Sequence, residues 1–280
     1  MRGDAEGEVA VVIGVGGMGQ AVARRLAPGR SLVLADVTPG LLDGVTQTFV
    51  DQGHDVTPVV TDVSDPDAVA RLAAAAAARG AVRVVVHTAG LSPVQASAEA
   101  ILRVDLLGVA FTLEEFAEVM APGGAAVVIA SMAGHMAPAV AAEEEKLLAR
   151  TPARELAALP ALSPSRHPDP GLAYAYAKRA NHLRVRAASV AWGRRRARVN
   201  SISPGVIATS MGRAELAGPT GAFMRAMVEG SGTGRLGTPD DIAAAAEFLV
   251  GPASSFVTGT DLVVDGGVIG AMTTGQIALA

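Results

Sequence analysis

Short apolar runs recur along the whole chain, separated by segments with the spacing and ends of helices. Several of the runs are continuously apolar and do not alternate with polar residues, which is typical of strands buried on both faces of a parallel sheet. Seven such runs are present, at residues 9–13, 31–35, 55–60, 82–86, 125–131, 198–203 and 260–265. No linker or repeat divides the chain. We therefore predict one doubly wound α/β domain over residues 1–280, with a seven-stranded parallel sheet and helices on both faces.

Residues 65–80 show the helix signals most clearly. Asp65 is a typical N-cap, Pro66 suits the first helical position, and Gly80 suits the end. The run of six alanines at 73–78 is a strong helix former. The alternation of strands and helices is therefore supported by local chemistry as well as by hydrophobicity.

Composition excludes several classes of function. The net charge of −4 gives no electrostatic reason to expect nucleic acid or an anionic membrane as a partner. The chain has no cysteine, which excludes disulfides and thiolate metal sites, and its five histidines lack ligand-like spacing. We therefore predict that no metal is bound.

Residues 125–142 belong to the longest uncharged stretch of the chain, and they reach membrane-spanning length. Their Ser, Gly, His and Pro residues and their β-branched start favour a buried strand that leads into a loop. No apolar signal segment follows the acidic tail at residues 1–8. The sequence therefore predicts a cytoplasmic protein.

Residues 139–171 interrupt the regular alternation of strands and helices. This insert starts as a helix rich in Ala, Glu and Leu and then breaks at successive prolines. It could be a lid over an apolar pocket, helped by Met132, His135 and Met136. It could equally be a surface helix that packs on the edge of the site or alters an oligomer interface.

A glycine-rich loop follows the first predicted strand. Gly14, Gly16 and Gly19 have G-x-G-x-x-G spacing at the start of a helix, which allows a close approach of pyrophosphate to the backbone. Asp36 ends the second strand, where a carboxylate can bind ribose hydroxyls and repel a 2′-phosphate. The pattern favours NAD over NADP. The alternative is a structural glycine turn followed by a solvent-facing Asp.

Residues 172–180 contain both tyrosines of the chain and one of its two lysines. Tyr174 and Lys178 are four residues apart and share one helix face, whereas Tyr176 points elsewhere. A neighbouring cation favours the phenolate and lowers the pKa of a tyrosine, which makes it a better base. We therefore predict that Tyr174 is the acid/base and that Tyr176 packs or lines the site wall. The alternative for the pair is an ordinary half-buried helix face.

The glycine loop, Asp36, Ser131 after the fifth run and "YAYAK" at 174–178 resemble the short-chain dehydrogenase/reductase family. "TDVS", "HTAG", "VNSISPGVIAT" and "DGG" resemble further elements of that family in the same order. The phrases "LAYAYAK" and "SVAWG" and the extra helical segment are similar to the bacterial 3α-hydroxysteroid dehydrogenase/carbonyl reductase branch. The resemblance implies a Rossmann fold and a homodimer or homotetramer.

The resemblance also implies roles for individual residues. Tyr174 would be the acid/base, Lys178 would tune it and bind the nicotinamide ribose, and Ser131 would orient the substrate. Asp105 stands where the family usually has its fourth catalytic residue, an Asn. The implied cofactor-binding residues are Gly14, Gly16, Gly17, Met18, Gly19, Asp36, Val37, Asp62, Val63, Ala89, Gly90, Tyr174, Lys178, Pro204, Gly205, Ile207 and Thr209.

The chain departs from the family pattern at several points. Gly17 and Gly19 match the last two glycines of the family's loop, but Gly14 comes one residue early, so the turn must differ. His87 and Thr88 replace two asparagines, which puts the local hydrogen bonding between strands in question. Ser131 and Tyr174 are 43 residues apart, a longer separation than is usual in the family.

The predicted function is hydride transfer between NAD(H) and a secondary alcohol or ketone. The substrate is expected to be bulky and apolar, as a hydroxysteroid is. Met211, Met224 and Met227 fit an adaptable apolar wall and fit core packing equally well. Two alternatives stay open: a dinucleotide-binding sensor without catalysis, and an epimerase or dehydratase of the same family.

Overall fold

The computed structural model describes residues 7–277, and a single parallel sheet forms its centre. Its strands are β1 (Glu8–Ile13), β2 (Ser31–Asp36), β3 (Val56–Val60), β4 (Ala81–His87), β5 (Met120–Ile129), β6 (Arg198–Pro204) and β7 (Asp261–Val264). All seven predicted strands are confirmed. Of the predicted tail at 1–8, residues 1–6 lie outside the described residues, and Glu8 already belongs to β1.

The strand order is β3-β2-β1-β4-β5-β6-β7, and every neighbouring pair is parallel. The chain builds outwards from β1 in one direction and then returns to build outwards from β4 in the other. At such a reversal the loops after the two strands diverge and leave a crevice at their carboxyl ends, where ligands bind in open α/β sheets.

The helices and short helical turns cover both faces of the sheet. The α-helices are α1 (Gly17–Leu26), α2 (Pro39–Asp51), α3 (Pro66–Arg79), α4 (Ala98–Ile101), α5 (Gly108–Val119), α6 (Ala133–Met136), α7 (Ala142–Arg150), α8 (Ala153–Leu156), α9 (Pro170–Arg194), α10 (Ser210–Ala217), α11 (Gly221–Glu229), α12 (Pro239–Val250) and α13 (Val268–Thr273). A π-helical segment spans Leu102–Leu107, and 3-10 turns occupy Pro160–Leu162, Pro164–Arg166 and Pro252–Ser254. The predicted cap of α3 is present, since the Asp65 side chain accepts a hydrogen bond from the backbone N–H of Asp67.

Two apolar layers hold the helices against the sheet. Val9 and Val11 face the layer that also contains α3, α5 and α9, whereas Ala10 and Val12 face the layer that contains α1 and α12. All four side chains are fully buried, as expected for a central strand that is covered on both faces. The core therefore fixes β1 and the loop that follows it.

The insert forms α7 and α8, which confirms the predicted helical start. Leu148 and Leu156 are fully buried in the same core as α9. The buried Arg184 donates hydrogen bonds to the carbonyl oxygens of Leu148 and Thr151 and pairs with Glu114 at 2.9 Å. The insert is thus packed onto α5 and α9 as an integral layer of the domain.

The uncharged stretch at 125–142 crosses from β5 into the loop around α6, as predicted. Strand β5 ends at Ile129, two residues earlier than expected, so Ser131 lies in the loop after the strand. Within residues 7–277, no helix has both the length and the apolar character needed to cross a bilayer.

Candidate active site

The glycine loop lies at the crevice between β1 and β4. Gly14 has a φ of +89°, and a Cβ on it would lie 2.6 Å from the backbone nitrogen of Ala89. A Cβ on Gly19 would lie 1.9 Å from the carbonyl oxygen of Gly14, so helix α1 can approach the strand only with glycine there. Gly16, at the N-cap of α1, faces open space. The loop therefore offers a bare backbone and a helix N-terminus to a pyrophosphate group.

Asp36 is tied to this loop by its carboxylate. Its Oδ2 accepts a hydrogen bond from the Val15 N–H at 2.9 Å, and its Oδ1 accepts one from the Thr38 N–H at 2.9 Å. Both oxygens keep further acceptor capacity, and the side chain lines the crevice. Asp36 thus both holds the turn in place and presents negative charge where a ribose would lie.

Most of the predicted dinucleotide residues line one cavity of about 240 Å³. Every predicted residue from Gly14 to Gly90 lines it, together with Thr209. Pro204, Gly205, Ile207 and Tyr174 instead line the neighbouring cavity, and Lys178 is buried beneath. Sequence reasoning missed several lining residues that lie outside the quoted motifs: Leu41, Leu91, Val104 and Ser210.

His87 and Thr88, which replace the two family asparagines, still connect the strands. The Thr88 hydroxyl donates a hydrogen bond to the Gly14 carbonyl oxygen at 2.7 Å. His87 Nδ1 lies 3.0 Å from Thr112 Oγ1, on helix α5. Burial, aided by the charge of Lys178, lowers the pKa of His87 to about 3, so this imidazole is neutral at physiological pH. The Thr88 hydroxyl therefore connects the end of β4 to the glycine loop by a hydrogen bond.

Tyr174 and Lys178 lie on one face of helix α9, as their spacing predicted. Lys178 Nζ is 5.3 Å from the centroid of the Tyr174 ring. The lysine side chain is buried, and Nζ donates a hydrogen bond to the Ile129 carbonyl oxygen at 3.3 Å. Asp169 caps α9 by accepting a hydrogen bond from the Leu172 N–H at 2.8 Å. The start of this helix is therefore fixed two turns before Lys178.

Asp105 forms a buried ion pair with Lys178. It lies in the π-helical segment, with Oδ2 3.0 Å from Lys178 Nζ and Oδ1 accepting a hydrogen bond from the Leu91 N–H at 2.8 Å. The pair acts chiefly through charge, because Oδ2 has no hydrogen bond of standard geometry within residues 7–277. A Cβ on Gly90 would lie 3.0 Å from Oδ2, so glycine leaves room for the pair.

The ion pair sets the charge states around Tyr174. Burial raises the pKa of Asp105 more than Lys178 lowers it. For Lys178, burial lowers the pKa, but Asp105 and Tyr174 together outweigh burial and raise it. The pKa of Tyr174 is raised, mainly by burial; Lys178 lowers it, and the Asp105 carboxylate opposes Lys178. The phenol is therefore protonated near neutral pH, which suits proton donation to a ketone oxygen.

Ser131 lies beside Tyr174 in the loop after β5. Its Oγ accepts a hydrogen bond from the Ala133 N–H at 3.1 Å and lines the same cavity as the phenol. The two hydroxyls do not form a hydrogen bond of standard geometry with each other, but Ser131 favours the phenolate and so lowers the pKa of Tyr174. Both hydroxyls can therefore reach one substrate oxygen.

Tyr176 has a different environment. Its hydroxyl donates a hydrogen bond to Glu144 Oε1 at 2.8 Å, and its ring packs on His167 with centroids 4.7 Å apart. Burial and the neighbouring carboxylate raise the pKa of Tyr176 further above its usual value. This tyrosine attaches α9 to the insert, which agrees with the predicted packing role.

An apolar cavity of about 380 Å³ opens in front of Ser131 and Tyr174. Six of the nine methionines line it: Met18, Met132, Met136, Met211, Met224 and Met227. Of the insert at 139–171, only Gly171 lines this cavity, and the insert instead borders a smaller one of about 290 Å³. The walls come mainly from α9, α10, α11 and the segment from β5 to α6, so the geometry favours a packing role for the insert over a lid.

Three groups that sequence spacing did not connect also come together. His135, His182 and Asp261, on α6, α9 and β7, form the one cluster of three metal-ligand types found within residues 7–277. His135 Nε2 lies 2.7 Å from Asp261 Oδ2, and His182 Nε2 lies 2.9 Å from Ser203 Oγ. Burial lowers the pKa of His182 to about 4. Both imidazoles thus have side-chain hydrogen-bond partners, and the predicted absence of a metal stays a prediction.

Comparison with known proteins places this geometry in a family. The short chain dehydrogenase model matches residues 8–143, and the Enoyl-(Acyl carrier protein) reductase model matches residues 161–269. A short-chain dehydrogenase/reductase of Alternaria brassicicola, bsc3, is 40% identical over 92% of this chain and 94% of its own. The chain belongs to the short-chain dehydrogenase/reductase family. Neither model covers residues 144–160, which carry most of α7 and all of α8.

Further relatives in the family act on chemically different alcohols. Galactitol 2-dehydrogenase (L-tagatose-forming) of Cereibacter sphaeroides is 30% identical over 94% of this chain and 95% of its own. The 3-alpha-hydroxysteroid dehydrogenase/carbonyl reductase of Comamonas testosteroni is 28% identical over 88% of this chain and 98% of its own. This short-chain dehydrogenase/reductase is thus an oxidoreductase that uses a nicotinamide dinucleotide.

A solved structure confirms the fold. The dehydrogenase/reductase from Sinorhizobium meliloti superimposes with a TM-score of 0.74 at 23% identity, over 94% of this chain and 95% of that chain. The predicted Rossmann architecture is therefore confirmed for this family member.

Proposed function

We propose that this short-chain dehydrogenase/reductase interconverts a secondary alcohol and a ketone with NAD(H) as the hydride carrier. One observation carries the proposal: Tyr174 stands with buried Lys178 on one face of α9 and opens into an apolar cavity that adjoins the dinucleotide crevice. Thr209, Met18 and Met211 line both spaces, so substrate and cofactor would meet there.

Each residue of the site has its own role in proton transfer and in binding. When bound, the nicotinamide supplies or accepts the hydride. Tyr174 donates its proton to the developing alkoxide in reduction and takes the alcohol proton in oxidation. Ser131 donates a hydrogen bond to the same substrate oxygen, and the ammonium of Lys178 stabilises the phenolate that forms. Thr209 and the glycine loop hold the cofactor on the other side.

The substrate is proposed to be bulky and mostly apolar, as a hydroxysteroid is. The size of the cavity and its methionine walls support this, because methionine adapts to irregular apolar shapes. Initial rates of NADH consumption with ring ketones of increasing size test it. A preference for small open-chain ketones over every ring ketone would overturn this part of the proposal. Cytoplasmic location and assembly as a homodimer or homotetramer stay predictions.

The preference for NAD is proposed to depend on Asp36. In an Asp36→Asn variant the amide oxygen can still accept one of the two backbone hydrogen bonds, but the negative charge is gone. We expect the NAD-to-NADP ratio of kcat/KM to fall about tenfold, because repulsion of the 2′-phosphate is removed. An Asp43→Asn variant, changed at a position that does not line the crevice, serves as the control. An unchanged ratio in Asp36→Asn would contradict the assignment.

A further inference from the structure

The substrate cavity contains one carboxylate that the proposed reaction leaves unused. Glu215 lies on α10 and lines the cavity that Ser131 and Tyr174 open into. The other side chains with oxygen atoms in this lining are hydroxyls, including Thr209 and Thr220. Among residues 7–277, Glu215 is therefore the only formally charged side chain that lines this mostly apolar cavity.

A buried serine holds this carboxylate in place. The Ser92 hydroxyl donates a hydrogen bond to Glu215 Oε1 at 2.6 Å. Ser92 is fully buried in the loop between β4 and α4, one residue after Leu91, which is itself bonded to Asp105. The position of Glu215 thus depends on the same loop that supports the Asp105–Lys178 pair.

The second oxygen of Glu215 has no protein partner in the described part of the chain. Neither a donor to Oε2 nor a Lys, Arg or His within salt-bridge distance occurs among residues 7–277. A half-buried carboxylate in apolar surroundings loses hydration that a single hydroxyl does not replace. A ligand that brings a hydrogen-bond donor to Oε2 would compensate for this lost hydration.

Glu215 is also within electrostatic range of the reacting group. Its negative charge contributes to the raised pKa of Tyr174. A single substrate molecule could therefore contact Glu215 with one group while its carbonyl group contacts Tyr174.

We propose that Glu215 is a specificity-determining residue that binds a second polar group of the substrate. That group is a hydrogen-bond donor, either a hydroxyl or an ammonium, and a carboxylate at the same place is excluded by charge repulsion. The substrate class becomes a ring alcohol or ketone with an apolar body and a donor on the side of α10. This inference rests on the proposed function for the position of the reacting carbon.

Binding to the NADH-loaded protein tests the inference without turnover, because NADH cannot accept a hydride from an alcohol. The probes are cyclohexanol and its three derivatives with a hydroxyl, an amino or a carboxyl group across the ring, each titrated by calorimetry. We expect the diol and the amino alcohol to bind about tenfold more tightly than cyclohexanol, and the acid about tenfold more weakly. Comparison of the diol with the amino alcohol shows whether a hydroxyl or an ammonium is the preferred donor.

Two substitutions of Glu215 should change this order in opposite ways. Glu215→Gln keeps an oxygen for the Ser92 hydroxyl but removes the charge, and should bring the four dissociation constants within about threefold of each other. Glu215→Lys should favour the acid over the amino alcohol. Glu229→Gln, at an exposed position of α11 that does not line the cavity, removes the same charge and should keep the wild-type order.

The outcomes separate the inference from the proposed function. Equal affinities in the wild type, no binding of any probe, or a wild-type order in Glu215→Gln would overturn the role of Glu215. Oxidation of all four alcohols with NAD at equal kcat/KM would support the reaction and refute the specificity. The predicted binding order without any oxidation would support the specificity and refute the reaction.

Discussion

A Tyr174→Phe variant should lose between about a hundredfold and ten thousandfold in kcat for ketone reduction, the usual contribution of a positioned acid/base. The ring would still fill its place on α9, but no proton could pass to the substrate oxygen. Ser131 would remain as the single hydroxyl at that oxygen. The measurement is the initial rate of NADH consumption with a ring ketone, together with NADH affinity by fluorescence. The affinity should stay close to that of the wild type, because the glycine loop and Asp36 are untouched.

Tyr176→Phe provides the matched control, since it removes the other phenol of the same helix. Its hydroxyl is bonded to Glu144 of the insert, so the change should cost about 1 kcal/mol of unfolding free energy and leave kcat near wild type. Wild-type turnover by Tyr174→Phe would refute the acid/base assignment. Wild-type protein that binds NADH but turns over no ketone would favour the sensor alternative. Substrate conversion without net NADH consumption would favour the epimerase or dehydratase.

An Asp105→Asn variant should oxidise alcohols at lower pH than the wild type. Oxidation requires the phenolate of Tyr174, so its rate rises with pH through the pKa of that group. In the wild type the Asp105 carboxylate, 3.0 Å from Lys178 Nζ, offsets the cation and contributes to the raised pKa of Tyr174. Removing this negative charge strengthens the effect of Lys178 and lowers the pKa of Tyr174. The measurement is the pH dependence of kcat/KM for oxidation.

The same substitution should weaken the fold. Lys178 would stay buried without its carboxylate, and breaking a buried ion pair costs about 3 kcal/mol or more. The amide oxygen can still accept the hydrogen bond from the Leu91 N–H, so the π-helical segment should persist. Denaturant unfolding measures the loss, and activity is compared only in folded protein. Identical pH–rate profiles for the variant and the wild type would show that Asp105 does not act on Tyr174.

The strands, the glycine loop and the pairing of Tyr174 with Lys178 were predictable because their signals are local. A strand covered on both faces must be apolar where it is covered, and residues 9–13 of β1 show this in their sequence and in their burial. Tyr174 and Lys178 were paired by helix geometry alone, since residues four apart share a face. Gly14 and Gly19 were recognisable because only glycine tolerates the close backbone approach seen there.

The position of the insert in the fold could not be predicted from local sequence signals. Its helical start was predictable from Ala, Glu and Leu content, but its place was not. Leu148 and Leu156 could have faced solvent, a substrate or a second copy of the chain. Arg184 and the core of α9 decide this by burying them. Packing energy depends on neighbours that are distant in sequence, and one sequence alone does not identify them.

The sequence by itself determined the parallel α/β fold, the glycine loop at the end of β1 and the shared helix face of Tyr174 and Lys178, because each follows from periodicity or backbone sterics over a few residues. The tertiary structure decided which charges act on the reacting group. Asp105 meets Lys178 from 73 residues away, and Glu215 meets Ser92 across 123 residues. Such distances depend on how the whole chain packs, and electrostatic effects change steeply with distance and burial.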